Sequence, residues 1–170
     1  MTFALFGFVD LYSRQLDTAA HILAKGAEHA AALGVSEADM LDWRLIDDMS
    51  PLRFQLRVVC NFTRQWPARS AGLPLPAEIA DDLDLAAFQA AIADAKAYLA
   101  ALKPEQFVGR DDVPLTVMLG DGQLEPTLPA ERWLAGFATI NIYFHLSMAY
   151  AILRAKGVPI GKVDLFAGGL

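Results

Sequence analysis

A single cysteine stands among the 170 residues, and that scarcity removes two kinds of chemistry. Cys60 has no partner for an intramolecular disulfide, and a cysteine-based zinc site needs more thiolates than one. A reducing cytoplasm is the expected compartment. Basic residues are also in short supply: 14 Lys and Arg face 20 Asp and Glu, for a formal net charge of -6 and a pI near 4.9. No basic stripe is left to neutralise phosphates, so nucleic acid is not an expected partner. The opening MTFALFGFVDLYSRQ lacks a basic start and meets Asp10 early, unlike an export signal. No run of about 18 apolar residues is read as free of charge, so no membrane partner is expected. Repeats and low-complexity tracts are missing as well.

What is present is apolar and helix-forming. The chain is 55% hydrophobic and 20% charged, which is globular composition, and its many alanines favour helix over strand. One all-α domain over residues 1–170 is expected, long enough to bury a core without metal or disulfide staples. From Phe3 to about Leu33, Leu5, Tyr12, Leu16, Ala19, Leu23, Ala27 and Ala30 recur three or four apart and share one helix face. Asp10, Arg14, Asp17, His21, Lys25 and Glu28 fall opposite, on a face read as solvated. Gly34 suits a left-handed stop.

Ser36, with Asp39 three residues on, reads as the cap of a short helix through Trp43. Ser50 and Pro51 then read as the cap and first residue of a second long helix. Its core stripe is Leu52, Leu56, Val59, Thr63 and Trp66; Arg53, Arg57 and Arg64 lie outside, and Pro67 limits its length. The stretch from Ser70 to Asp84, rich in Pro, Gly and acid, is too irregular for helix. Extended, it spans roughly 45 Å, enough to cross a bundle end to end. Asp84 caps a third long helix through about Leu102, with Leu85, Phe88, Ile92, Ala95 and Leu99 as its stripe.

Between Val113 and Leu128 the apolar residues alternate around Gly120-Asp121-Gly122, the pattern of a small β-hairpin. A lone hairpin is marginal, so it must pack on the bundle or on a second subunit. The last helix runs from about Pro129 to Lys156, with Trp133, Phe137, Ile140, Phe144, Met148, Ala151 and Ile152 as its expected core stripe. Asn141 lies inside that stripe and His145 at its edge. Gly157 ends the helix, and Val158, Ile160, Leu165 and Phe166 are apolar enough to pin the tail to the bundle.

Several of these segments carry a resemblance. Asp48-Met49-x-Pro51-Leu52-x-x-Gln55, Ala71-Gly72 and Asp81-Asp82 of the linker, Asn141-x-Tyr143-Phe144-His145, Ala149-Tyr150-Ala151-Ile152-Leu153-Arg154 and Gly157-Val158-Pro159-Ile160-Gly161-Lys162-x-Asp164 resemble an uncharacterised bacterial family of domains of unknown function. That family is related to the DinB/YfiT-like four-helix bundles. The resemblance implies an up-down-down-up four-helix bundle with a long crossover between its second and third helices; the small hairpin read above then precedes the fourth. Many DinB-like proteins hold a divalent metal, such as Zn or Ni, on three histidines for thiol-dependent transferase or isomerase chemistry. Here the helix-four pair is Asn141 and His145, and the helix from Pro51 to Trp66 has no histidine. Asn is a poor ligand for zinc or nickel and one imidazole does not make a site, so the expected cofactor is none. The alternative pairs His145 with Asp48 at a metal.

The residues themselves suggest a pocket. His145 beside Asn141 has the makings of a general base oriented by an amide, with Asp48, Gln55 and Tyr150 converging and Lys162 and Asp164 closing over from the tail. The competing reading is a buried polar cluster that fixes helix register. Asp48 also suits the N-terminal end of a helix dipole. Cys60 has no basic neighbour within a helical turn and reads as packing; His21 and His29 read as surface groups. The expected function is a metal-free bundle that binds a small molecule or serves as an interaction module, with a metal-dependent, thiol-linked transferase or isomerase as the alternative. A homodimer through the last helix's aromatics and the hairpin fits either.

Overall fold

A computed structural model describes residues 4–120 and 122–169 of the chain. Phe3, where the first helix was expected to begin, lies outside them. Helix α1 (Gly7–Ala32) turns inward Tyr12, Leu16, Ala19, Ile22 and Leu23, all buried, as the three-and-four spacing demands. A short α2 (Glu37–Leu41) is capped by Ser36, whose hydroxyl accepts the Asp39 amide hydrogen. Helix α3 (Leu52–Ala71) follows, then α4 (Leu85–Ala101), capped by the Asp84 carboxylate on the Ala87 N–H. The last helix, α5, spans Ala130–Ala155. The chain is mostly helical, with one small two-stranded sheet.

Helix α3 outruns its proline. The expectation that Pro67 limits it is corrected: the helix continues to Ala71 and stops at Gly72, whose φ of 70° is left-handed. Pro67 lacks an N–H to give, yet Trp66, Pro67 and Ala68 are all buried, and that packing offsets one missing bond close to the helix end. The start shifts by one residue, with Pro51 in the cap position.

The arginines on the outer side of α3 are not simply solvated. Arg53 pairs with Asp42 at the end of α2, while Arg57 pairs with Asp81 and Arg64 donates to the Ala77 carbonyl, so that these last two strap the irregular crossover from Leu73 to Leu83 along α3. The supposedly solvated face of α1 needs the same correction. Asp17 pairs with Lys96 on α4, and His21 reaches Asp164 in the tail.

Strands β1 (Pro114–Thr116) and β2 (Thr127–Pro129) pair antiparallel with Leu115 opposite Leu128, and Gly120 and Gly122 take left-handed φ at the turn. The hairpin is fastened to the helices by Trp133 of α5, whose indole N–H donates to the Leu115 carbonyl at 2.8 Å. Trp133 in turn stacks on Trp66 at 5.2 Å between ring centroids, and Phe137 packs edge-on against both.

Helix α5 departs most from its expected pattern. Its turn from Leu134 to Ala138 is widened to π-helix, so one extra residue is inserted. From its last residue onward the buried positions are Ala138, Ile142, Leu146, Ala149, Ile152 and Leu153, whereas Ile140 is 61% and Phe144 54% exposed. The expected stripe through Ile140, Phe144 and Met148 is therefore out of phase by one residue, about 100° of rotation. The expectation that no run of about 18 apolar residues is free of charge is corrected as well: by length and composition alone α5 is apolar enough to cross a membrane, and 33% of its most apolar window is buried. It carries no Asp, Glu, Lys or Arg between Trp133 and Leu153.

The phase shift is testable by denaturant unfolding of dilute, monomeric protein. Ile142→Ala should cost roughly 2–5 kcal/mol, because it leaves a core cavity. Ile140→Ala should stay within about 0.5 kcal/mol, as surface changes do; the reverse ranking would restore the regular helix.

Candidate functional site

Two seams flank α5, and each carries a polar pair. In the seam with α3, Gln55 is buried and His145 half-buried, with His145 Nδ1 2.8 Å from Gln55 Oε1. The Gln55 Nε2 donates to the Ser50 carbonyl at 3.0 Å, and since that carbonyl can only accept, the amide is fixed with Oε1 toward the imidazole. His145 Nδ1–H is then the donor, which leaves Nε2 as the acceptor of the neutral ring. Burial holds the ring's pKa below its ordinary 6.5. The edges of Phe54 and Phe144 flank it.

The other expected members of that pocket do other work. Asn141 gives its amide N–H to the Phe137 carbonyl, one turn back in the widened segment. Asp48 is exposed in the loop before α3, and among the described residues it makes no hydrogen bond to His145 or Gln55. Tyr150 is half-buried and packs on the core. Cys60 is fully buried and its thiol is pushed up to about 12, chiefly by that burial, so no thiolate forms near neutrality.

Asp164 and Lys162 lie in a short 3-10 turn, Lys162–Phe166, that packs on α1. Lys162 is exposed. The Asp164 carboxylate accepts from the Gly161 N–H at 2.6 Å and meets His21 Nε2 at 2.6 Å, and these bonds hold it below the usual carboxylate range, the Gly161 N–H contributing most. This clasp was not legible beforehand, because a histidine on an acidic helix face gives no sign of the segment that will cover it. Val158 and Ile160 pin the start of the tail, as expected, while Phe166 stays half-exposed.

The tail has a consequence for the second seam. Between α1, α5 and the tail lies a cavity of about 340 Å³, lined chiefly by Leu11, Gln15, Tyr143, Leu146, Leu165 and Phe166, with Arg14, Thr18, Ser147 and Gly169 completing its wall. Thr18 donates to the Leu165 carbonyl, which fixes the tail as the outer wall. Gly168 lies so close to α1 that a Cβ there would sit 2.3 Å from the Arg14 carbonyl oxygen. Gln15 Nε2 donates to the Tyr143 hydroxyl at 3.1 Å. Gln15 and Tyr143 were not among the expected site residues. The available signal was a glutamine beside Leu16 at the edge of an apolar stripe.

The α3–α5 seam does not suit a divalent metal. Its donors are one imidazole, a glutamine already bonded on both ends and an asparagine committed to a backbone carbonyl. Among the described residues no group of three or more His, Cys, Asp or Glu is placed to hold an ion. Adding Asp48 to His145 still leaves the site short of the three protein ligands that a zinc centre uses.

Comparison with known proteins adds two relationships. The family described as "Domain of unknown function (DUF1993)" matches residues 7–166. The crystal structure of a DinB family member protein from Shewanella denitrificans superposes with a TM-score of 0.80 at 26% identity, over 95% of this chain and 90% of that one. No curated protein matches the chain.

Two pH windows follow from the site. Because the folded pKa of His145 lies below its unfolded value, the unfolded chain takes up the proton first, and stability should fall as pH drops through about 6.5. His145→Gln should flatten that part of a melting-temperature profile; an unchanged slope would remove the assignment. Asp164, also depressed, contributes above the ordinary 3.8 and loses its contribution only below it. Asp164→Asn should speed hydrogen exchange at the Gly161 amide while leaving the α4 amides as protected as before.

Proposed function

The chain belongs to the DUF1993 family, whose function is unknown, and we propose that it acts as a metal-free helical bundle that binds a small molecule. The observation that carries this reading is the cavity between α1, α5 and the tail. Its volume of about 340 Å³ is at the small end of ligand sites, and its mostly apolar wall with a few convergent polar groups is the usual make-up of one. The site is thus displaced from the pocket expected around Asp48, Gln55, Asn141, His145 and Tyr150. Gln55 and His145 set the register of α3 on α5, and Asp164 anchors the tail that walls the cavity.

The rest of the reading is of a piece with this. The four long helices form one domain in the up-down-down-up order of DinB-like bundles, supported by the long crossover between α3 and α4 and by the likeness to the DinB family member. The protein works in a bacterial cytoplasm, where its lone buried thiol stays reduced, and neither nucleic acid nor membrane is among its partners. Two copies pair through the exposed Ile140, Tyr143 and Phe144 of α5 and Leu128 of the hairpin, apolar side chains that a second copy would cover. A metal-dependent, thiol-linked transferase or isomerase is the second reading; it comes from what the DinB-like resemblance implies and is disfavoured by the donor set at His145.

Three measurements test these statements. Small neutral amphiphiles such as 1-octanol, at ten to a hundred times their Kd, should stabilise the protein by about 1–3 kcal/mol, and Ser147→Trp, which fills the cavity, should abolish the effect. If no such compound shifts the melting temperature, small-molecule binding at this cavity is refuted. Untagged protein should carry less than about one-tenth of an equivalent of transition metal, since a true site binds tightly. Light scattering at micromolar concentration should report a dimer, and Phe144→Glu a monomer.

A further inference from the structure

The cavity has an unfilled requirement in its wall. Gln15 is only 6% exposed, and its Oε1 is shut off from solvent without a hydrogen-bond partner among the described residues. A buried acceptor left in that state costs on the order of 1–3 kcal/mol. Its neighbours do not bond it: the Thr18 hydroxyl donates to the Leu165 carbonyl, and Arg14 pairs with the Asp10 carboxylate.

Turning the amide over does not remove the requirement. As placed, Gln15 Nε2 donates to the Tyr143 oxygen, so Oε1 is free to accept and the Tyr143 O–H is free to donate. Reversed, the Tyr143 O–H donates to Oε1, so Nε2–H is free to donate and the Tyr143 oxygen to accept. Either way the pair presents one donor beside one acceptor. Its complement is a group with an acceptor beside a donor. A carboxylate supplies acceptors alone and an ammonium donors alone; each leaves one side unmet and is desolvated besides. A carboxamide or lactam supplies both and is neutral.

Building on the small-molecule reading above, we propose that the cavity takes a neutral ligand with an apolar body and a carboxamide-type head. Gln15 and Tyr143 read the head, while Leu11, Leu146, Leu165 and Phe166 hold the body. Oε1 is closed to solvent as it stands, and because the terminal torsion of a glutamine is broad, the amide can turn toward a bound head group.

The test is calorimetry on the full chain at pH 7.5 with octanamide, N,N-dimethyloctanamide and octanoate. Octanamide should bind about tenfold tighter than the dimethyl amide, which keeps the acceptor and loses the donor, and also tighter than octanoate. Gln15→Leu should bring the two amides to equal affinity without weakening the dimethyl amide. If that variant does not fold, Tyr143→Phe should narrow the same ratio. Equal amide affinities in the unaltered protein, or octanoate binding tightest, would overturn the head-group assignment while leaving the cavity a small-molecule site. An unchanged ratio in the variants would do the same. If none of the three binds and 1-octanol does not either, both the head group and the site are refuted.

Discussion

One backbone carbonyl, that of Leu134, sets the phase of everything that follows it. It accepts from the Thr139 N–H across the widened turn, from the Thr139 hydroxyl at 2.8 Å and from the buried Tyr12 hydroxyl at 3.2 Å. The neighbouring Phe137 carbonyl accepts from the Asn141 side-chain amide. A π-turn survives only where the groups it displaces find partners, and here Tyr12 on α1 supplies one from a different element. Burial drives the Tyr12 phenol far above its ordinary pKa, so it donates at any pH the protein meets. The extra residue turns the helix by about 100°. That rotation carries His145 to α3 and Tyr143 and Ser147 to the cavity, and leaves Ile140 and Phe144 outside.

The two seams of α5 then differ in how their polar groups are met. Gln55 is satisfied at both ends, by Ser50 and by His145, and such a network specifies one packing arrangement. Gln15 is satisfied at one end only. Buried polar groups in folded proteins are nearly all bonded, so an orphan beside a cavity is better explained by something the cavity receives than by the fold. The contrast separates a polar pair that sets register from one that recognises.

Charge has a different use in this molecule. The pairs Arg53–Asp42, Arg57–Asp81, Lys96–Asp17 and His21–Asp164 each join a helix to a loop, to the tail or to another helix. Exposed pairs of this kind contribute little free energy, about 0–1 kcal/mol. They matter here by position, since the crossover and the tail have few helical bonds of their own, and the tail is one wall of the cavity.

Local rules made much of the fold legible in the sequence. The inward stripe of α1, the caps at Ser36 and Asp84, the left-handed stop at Gly34, the crossover and the hairpin all follow from residue type and spacing within a few positions. So did the isolation of Cys60. Gln55 and His145 were expected together, but in one cluster with Asp48, Asn141 and Tyr150, which take no part in their hydrogen bond. What depended on tertiary structure was phase and cover. The carbonyl of Leu134 in the π-turn also takes a bond from Tyr12, 122 residues away in sequence, and no periodicity within α5 records that. The cavity exists only because the tail folds back on α1 through Asp164 and Thr18, bringing Gln15 and Tyr143 under one roof. Sequence patterns report which face of a helix is apolar; what lies against that face is decided by residues distant in the chain, through contacts that leave no local trace.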